Sequence, residues 1–222
     1  MVRLAFGCGT IDAMLEGGTE AGCLSLLYGE SGTGKTTLCL LLAVEVARHG
    51  KKVIYIDTEG VSMERLKQIA GDDFDAIVKN ILFSNICSFD EQERMVEKAI
   101  KLAQSDIDIG MLVVDSISMH YRLTSREEDR GERRSLAGQS AKLTNVAREK
   151  ALPVVVTSQV YTDVETGTFE ALGGHALHHN AKIIVRIDKT GTGRRRAVLM
   201  KHRSLPEGMT AEFQLTSNGI SC

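Results

Sequence analysis

Gly29-Glu30-Ser31-Gly32-Thr33-Gly34-Lys35-Thr36 fits G-x-x-x-x-G-K-[ST], and its flanks supply the setting that pattern needs. Residues 23–28 (CLSLLY) form a short apolar run that reads as a buried strand. On the other side, residues 36–49 place Leu38, Leu41, Leu42 and Val46 on one helical face, and Gly50 ends the helix. A strand, a glycine-rich loop and a helix N-terminus together cradle phosphates. The glycines let backbone N–H groups point inward, and the helix end adds a partial positive charge. The pattern therefore predicts an ATP site made by Gly29, Glu30, Ser31, Gly32, Thr33, Gly34, Lys35, Thr36 and the adjoining Thr37. Lys35 is expected on the β- and γ-phosphates, and the Thr36 hydroxyl on Mg²⁺.

Strand and helix patterns alternate outward from this loop. Residues 52–57 (KVIYID), 80–84 (NILFS), 110–115 (GMLVVD) and 153–158 (PVVVTS) read as further strands. Helical patterns cover residues 63–70 and 89–104, and a charged helical stretch covers 127–150, with Gly131 and Gly138 as points of interruption. Strands apolar on both faces, separated by helices, mean a mainly parallel sheet with helical layers on both sides. The texture changes after Gly174. Residues 182–188, 195–201 and 211–216 read as three strands with short turns, one of them Thr190-Gly191-Thr192-Gly193. These predict an antiparallel extension at one sheet edge.

Composition sets the outer bounds. The chain has 222 residues, with 43% hydrophobic and 25% charged, which suits a globular chain with a sizeable core. Only two Pro and no low-complexity linker interrupt it, so residues 1–222 are read as a single domain. The formal net charge of −2 and the absence of Trp offer no global sign of nucleic-acid binding, so any such role must rest on a local patch. The five Cys are odd in number, scattered and without C-x-x-C. They read as those of a reducing compartment, with Cys23 and Cys39 as small core residues. No signal peptide or membrane-length run is visible, and a cytoplasmic protein follows by elimination.

Three more positions complete the expected site. Asp115 ends an apolar strand at the sheet edge where ligands of open α/β sheets collect, which suits a carboxylate of the Mg²⁺ shell acting through water. Glu59 follows the second strand and can overlook the γ-phosphate from a neighbouring strand end, where hydrolysis needs a group to orient or deprotonate water. Gln159, just past the strand at 153–158, is a candidate γ-phosphate sensor.

With these segments in place the chain resembles the ATPase core of the RecA/RadA recombinase family. The resemblance covers almost the whole chain. It runs through Gly9-Thr10-Ile11-Asp12, the phosphate loop, Thr58-Glu59-Gly60, Val113-Val114-Asp115, Thr157-Ser158-Gln159-Val160, Gly173-Gly174-His175 and Leu205-Pro206-Glu207. It implies a RecA-like fold, with Glu59 as catalytic base and Gln159 coupling the γ-phosphate to a following DNA-contacting loop. It also implies that the segment at Leu205-Pro206-Glu207 caps the ATP of a neighbouring protomer, which leaves a homo-oligomer open. Lys201 stands four residues before this run, where such recombinases commonly carry an Asp that helps hold a cation. The resemblance makes its ammonium a substitute for that cation. His175, His178 and His179 belong, on the same reading, to the start of an element and not to a metal site.

Departures from the family shape the functional expectation. The core is expected to lack the N-terminal DNA-binding domain of such recombinases. Residues 160–174 carry Asp163, Glu165 and Glu170 but no Lys or Arg, unsuited to gripping a phosphate backbone. Basic residues cluster instead at Arg194-Arg195-Arg196 and Lys201-His202-Arg203, the predicted DNA contact. Arg126, Arg130, Arg133 and Arg134 alternate with acids and read first as a solvated helix. The expectation is an ATP- and DNA-binding accessory protein of recombination and repair, with weak ATPase and no strand exchange. It would assist the main recombinase of the RadA type or Holliday-junction resolution. A true DNA-dependent recombinase and an ATP-gated protein adaptor are the alternatives.

Overall fold

The computed structural model describes residues 2–120, 129–162 and 169–222. In chain order they form β1 (Arg3–Leu4), α1 (Gly9–Met14), β2 (Thr19–Glu20), β3 (Leu24–Tyr28), α2 (Lys35–Arg48), β4 (Lys52–Asp57) and α3 (Met63–Ala70). They continue with α4 (Phe74–Ile77), β5 (Ile81–Asn85), α5 (Phe89–Ser105), β6 (Ile109–Asp115), α6 (Asp129–Lys150), β7 (Val154–Ser158), β8 (Val160–Thr162) and β9 (Phe169–Ala171). The last are α7 (Gly174–Asn180), β10 (Ile183–Lys189), β11 (Arg194–His202), β12 (Thr210–Thr216) and β13 (Gly219–Ser221).

One nine-stranded sheet has the order β13-β12-β11-β10-β3-β7-β6-β4-β5. From β10 to β5 every pair is parallel, and β10 to β13 pair antiparallel, as the change of texture after Gly174 predicts. The parallel strands are buried on both faces. Val53 and Tyr55 of β4 join the core under α2, while Ile54 and Ile56 join the core under α5 and α6. That double burial is why these strands lack the alternation of a half-exposed sheet.

Helix α2 departs from the expected one-sided burial. Ten of its residues, including Leu38, Leu40, Leu42 and Val44, are buried around its circumference. The reason is the C-terminal extension. β13 lies against the helix, with Gly219 beside Leu41, and Leu215 of β12 lies against Gly34 at its start. Helix α6 also differs, since it runs through both Gly131 and Gly138 without a break. Burial of Leu136, Leu143, Val146 and Ala147 against the sheet outweighs a helix cost of about 1 kcal/mol per glycine.

Arg65 of α3 fastens the β12–β13 turn. Its Nη1 donates to the Thr216 and Ser217 carbonyls at 2.7 and 2.8 Å, and its Nη2 to the Gly219 carbonyl at 2.9 Å. Arg65→Ala removes three charge-assisted bonds at a half-buried position. It is expected to lower stability by about 1–2 kcal/mol, read as a thermal shift of about 3–6 °C. An unchanged melting temperature would show the turn to be held by packing alone.

Cys23 and Cys39 are buried core residues, as read from sequence. The reading of all five cysteines as reduced does not hold for Cys8 and Cys222, which form a disulfide with Cα atoms 5.8 Å apart. The packing of α1 against β12 brings these two together across 214 residues of chain. Among the described residues no helix is long and apolar enough to cross a membrane.

Candidate nucleotide site

The loop between β3 and α2 is shaped by glycine where nothing larger fits. A Cβ on Gly29 would lie 2.3 Å from the Ile187 carbonyl oxygen of β10. Gly34 caps α2 with φ +99°, and a Cβ there would meet Leu215 Cδ2 at 2.8 Å. Glu30, Ser31 and Gly32 are exposed, while Thr33, Lys35 and Thr37 are buried. The Lys35 Nζ lies inside the loop and donates to the Gly29 and Glu30 carbonyls, both at 2.9 Å. Burial holds its pKa below the usual lysine range, with the Glu59 and Asp115 carboxylates acting in the opposite direction.

Asp115 ends β6 beside this loop. Its Oδ2 accepts from the Tyr55 hydroxyl at 2.8 Å and its Oδ1 from the Thr157 hydroxyl at 2.5 Å. The Thr36 side chain lies close enough to favour the charged carboxylate. Burial raises the Asp115 pKa, and the hydrogen bonds from Thr157 and Tyr55, with the Thr36 side chain, oppose that rise. A hydroxyl and a carboxylate side by side, both hard oxygen donors beside a phosphate cradle, fit Mg²⁺ shared with a nucleotide. Among the described residues no three or more His, Cys, Asp and Glu side chains converge as a metal site, the three histidines of α7 included.

Glu59 and Gln159 lie a hundred residues apart and meet. The Gln159 Nε2 donates to Glu59 Oε1 at 2.8 Å. Each is fixed at a strand end. Asp57 closes β4 and turns its carboxylate onto its own chain, accepting from the N–H groups of Glu59 (3.1 Å), Gly60 (2.8 Å) and Val61 (2.6 Å). Thr58 Oγ1 donates to the Ser116 carbonyl and accepts from the Ser116 N–H, both at 2.8 Å, so the ends of β4 and β6 are tied together. Gln159 is held by the Ser118 hydroxyl on its N–H at 3.2 Å. Its carbonyl accepts the Leu172 N–H at 2.8 Å. It thus stands at the root of the antiparallel β8–β9 pair.

Tyr55, Asp57 and Thr157 were not singled out in the sequence. Signals were present: a tyrosine inside an apolar strand needs a partner for its hydroxyl, and Asp before a glycine-containing loop favours a turn closed by its own side chain.

The basic cluster is divided by the sheet. Alternation along β11 puts Arg194 and Arg196 on one face and Arg195 on the other. A bulge opposite Ile184 and Val185 then brings Lys201 to the Arg196 side and His202 to the Arg195 side. Arg194 and Arg196 are exposed, and Arg196 pairs with Glu212 at 3.1 Å. Lys201 Nζ donates to the His178 and His179 carbonyls at 2.8 and 3.4 Å, at the end of α7. The His202 side chain is wholly buried, its Nδ1 accepting the Ser204 and Leu205 N–H groups at 3.1 Å. Arg203 Nε donates to buried Glu20 at 2.5 Å. Of the six basic residues, Arg194, Arg196 and Arg203 are exposed, and Arg194 and Arg196 share one face of β11. Arg126, Asp163 and Glu165 lie outside the described residues, as do the side chains of Arg130 and Arg133; Arg134 is exposed and Glu170 lies in β9.

Fold and strand-end constellation together define a RecA-like phosphate-loop protein. The chain belongs to the Rad51 family, whose model matches residues 1–222, a family of ATP-binding proteins. It is 41% identical to the DNA repair and recombination protein RadB of Methanococcoides burtonii over 98% of this chain and 97% of that one. It is 39% identical to the protein of the same name from Thermoplasma acidophilum, over 99% and 94% of the two chains. The crystal structure of the RadB recombinase superposes with a TM-score of 0.85 at 36% identity, covering 99% of each chain.

Proposed function

We propose that the chain binds ATP with Mg²⁺ at the loop of residues 29–36, hydrolyses it slowly, and acts with DNA as an accessory protein of homologous recombination and repair. The observation that carries this is the meeting of Glu59 and Gln159 at the strand ends, within electrostatic reach of Lys35 and Asp115. The names of relatives that match over nearly their full lengths support the recombination role.

In this reading Lys35 leaves the Gly29 and Glu30 carbonyls for the phosphates, and the N–H groups of the loop and of the first turn of α2 bind phosphate oxygens. Mg²⁺ would be held by Thr36 directly and by Asp115 through water, neutralising charge on the phosphates. Glu59 orients or deprotonates the attacking water. Gln159 carries the state of the γ-phosphate to β8 and β9. A carboxylate already engaged by the Gln159 amide is a restrained base, which accords with slow turnover. The DNA-facing surface is assigned to Arg194 and Arg196, with partners of the RadA type or a Holliday-junction resolvase.

The deciding experiment is a DNA-binding titration with single-stranded, duplex and branched substrates, with and without ATP. Binding that depends on ATP is the expected result. Arg194→Ala/Arg196→Ala should flatten the dependence of log K on log salt by about 1–2, one step of roughly 0.9 per lost phosphate contact. An unchanged slope removes this face from DNA binding. Absence of DNA binding together with ATP-dependent protein capture would point to an adaptor instead.

A further inference from the structure

Arg195 follows the first residue of β11, on the sheet face that carries Ala197 and Leu199, and it points away from the exposed Arg194 and Arg196. Its Nη2 donates to the Gly32 carbonyl in the phosphate loop at 2.8 Å, across 163 residues of chain. Its Nη1 donates to the Arg194 carbonyl at 2.8 Å and to the Gly191 carbonyl at 3.5 Å. The guanidinium is thus anchored on its own turn with one arm in the loop. Its Nε is buried, with no hydrogen-bond partner among the described residues.

The contact falls where the loop has least other support. Gly32 is exposed and has φ +74°, and its neighbours Glu30 and Ser31 are exposed as well. The peptide whose carbonyl Arg195 holds continues into the Thr33 N–H, which donates to the Glu30 carbonyl at 3.4 Å. That same carbonyl receives the Thr33 hydroxyl and Lys35 Nζ, each at 2.9 Å. A charge-assisted bond at Gly32 polarises the peptide and strengthens the donor at its other end. Competition at the Glu30 carbonyl then bears on Lys35. Ile187 against Gly29 and Leu215 against Gly34 complete three supports reaching the loop from the antiparallel extension.

We propose that Arg195 is a positioning residue of the nucleotide site, holding the Gly32 peptide from β11 so that the loop and Lys35 are preset for phosphate. The spare Nε–H lets the fork keep a carbonyl when the loop closes around a ligand. The inference rests on the ATP reading above and withdraws Arg195 from the DNA-facing set.

The test uses the full chain and a fluorescent methylanthraniloyl-ADP with Mg²⁺, beside amide exchange of the nucleotide-free protein. Arg195→Ala should weaken binding on the order of tenfold, as the loss of one charge-assisted bond implies. Exchange at residues 32–35 should quicken while the later turns of α2 stay protected. Arg195→Lys keeps the charge but not the fork, and should recover only part of the affinity. It also serves if the alanine variant fails to fold. Arg148→Ala, which removes an exposed charge from α6, should change neither readout. Wild-type affinity and loop exchange in the Arg195 variants, with binding lost in Lys35→Ala, would overturn this inference alone. Binding retained in Lys35→Ala would instead strike the ATP reading.

Discussion

Lys35→Ala is expected to weaken ATP binding by about a hundredfold, which is close to its loss at micromolar protein. The size follows from two charge-assisted contacts to phosphate oxygens, at about 1.5 kcal/mol each, with every 1.4 kcal/mol worth tenfold. The ammonium is buried, and its partners in the structure are the Gly29 and Glu30 carbonyls, so it sits within the cradle and needs only a short swing to reach a phosphate. Removing it also removes a desolvated charge, so the fold should survive. Calorimetric titration with ATP and Mg²⁺, beside a thermal melt, checks both halves. Retained affinity in a folded variant would mean that the loop does not bind phosphate.

Glu59→Gln is expected to separate binding from chemistry. The amide keeps the size of the carboxylate and an oxygen to accept from Gln159, so ATP affinity should stay within about threefold. It cannot take a proton, and turnover should fall by about 10²–10⁴, the range general bases contribute. Single-turnover hydrolysis with enzyme in excess gives the measurement, because slow steady-state rates are easily swamped by a contaminating ATPase. Turnover equal to the wild type would take the base assignment away from Glu59. Gln159→Ala should behave differently. It frees Glu59 from its amide partner, and the hydrolysis rate without DNA should stay the same or rise, while any change on adding DNA is lost.

What could be read from sequence divides along physical lines. The phosphate loop was legible because its chemistry is local: glycine backbone freedom, a lysine and a hydroxyl within eight residues. Glu59, Asp115 and Gln159 were legible at one remove, since parallel strands bring their ends out side by side. The burial of α2 was not. Leu41 looks the same in sequence whether its outer neighbour is water or Gly219 of β13, which lies far along the chain. The division of the basic cluster between two sheet faces was not legible, because adjacent charges are adjacent only along the chain. In a strand they face opposite ways, and the bulge that reverses the alternation before Lys201 leaves no mark in composition. Cys8 and Cys222 show the same blindness to distant contacts.

The support that the C-terminal strands give the phosphate loop has a consequence for the order of events on the ribosome. The loop itself leaves the exit tunnel well before its outer wall, which comes from Ile187, Arg195 and Leu215. At about 5–20 residues per second, the stretch from Gly34 to Leu215 takes roughly 10–35 seconds to make, and through that time the nascent chain carries a loop without its full wall. The loop is walled on all sides only after β12 has been made and paired, so on the proposed reading ATP is a ligand of the folded core and not a guide to its early folding.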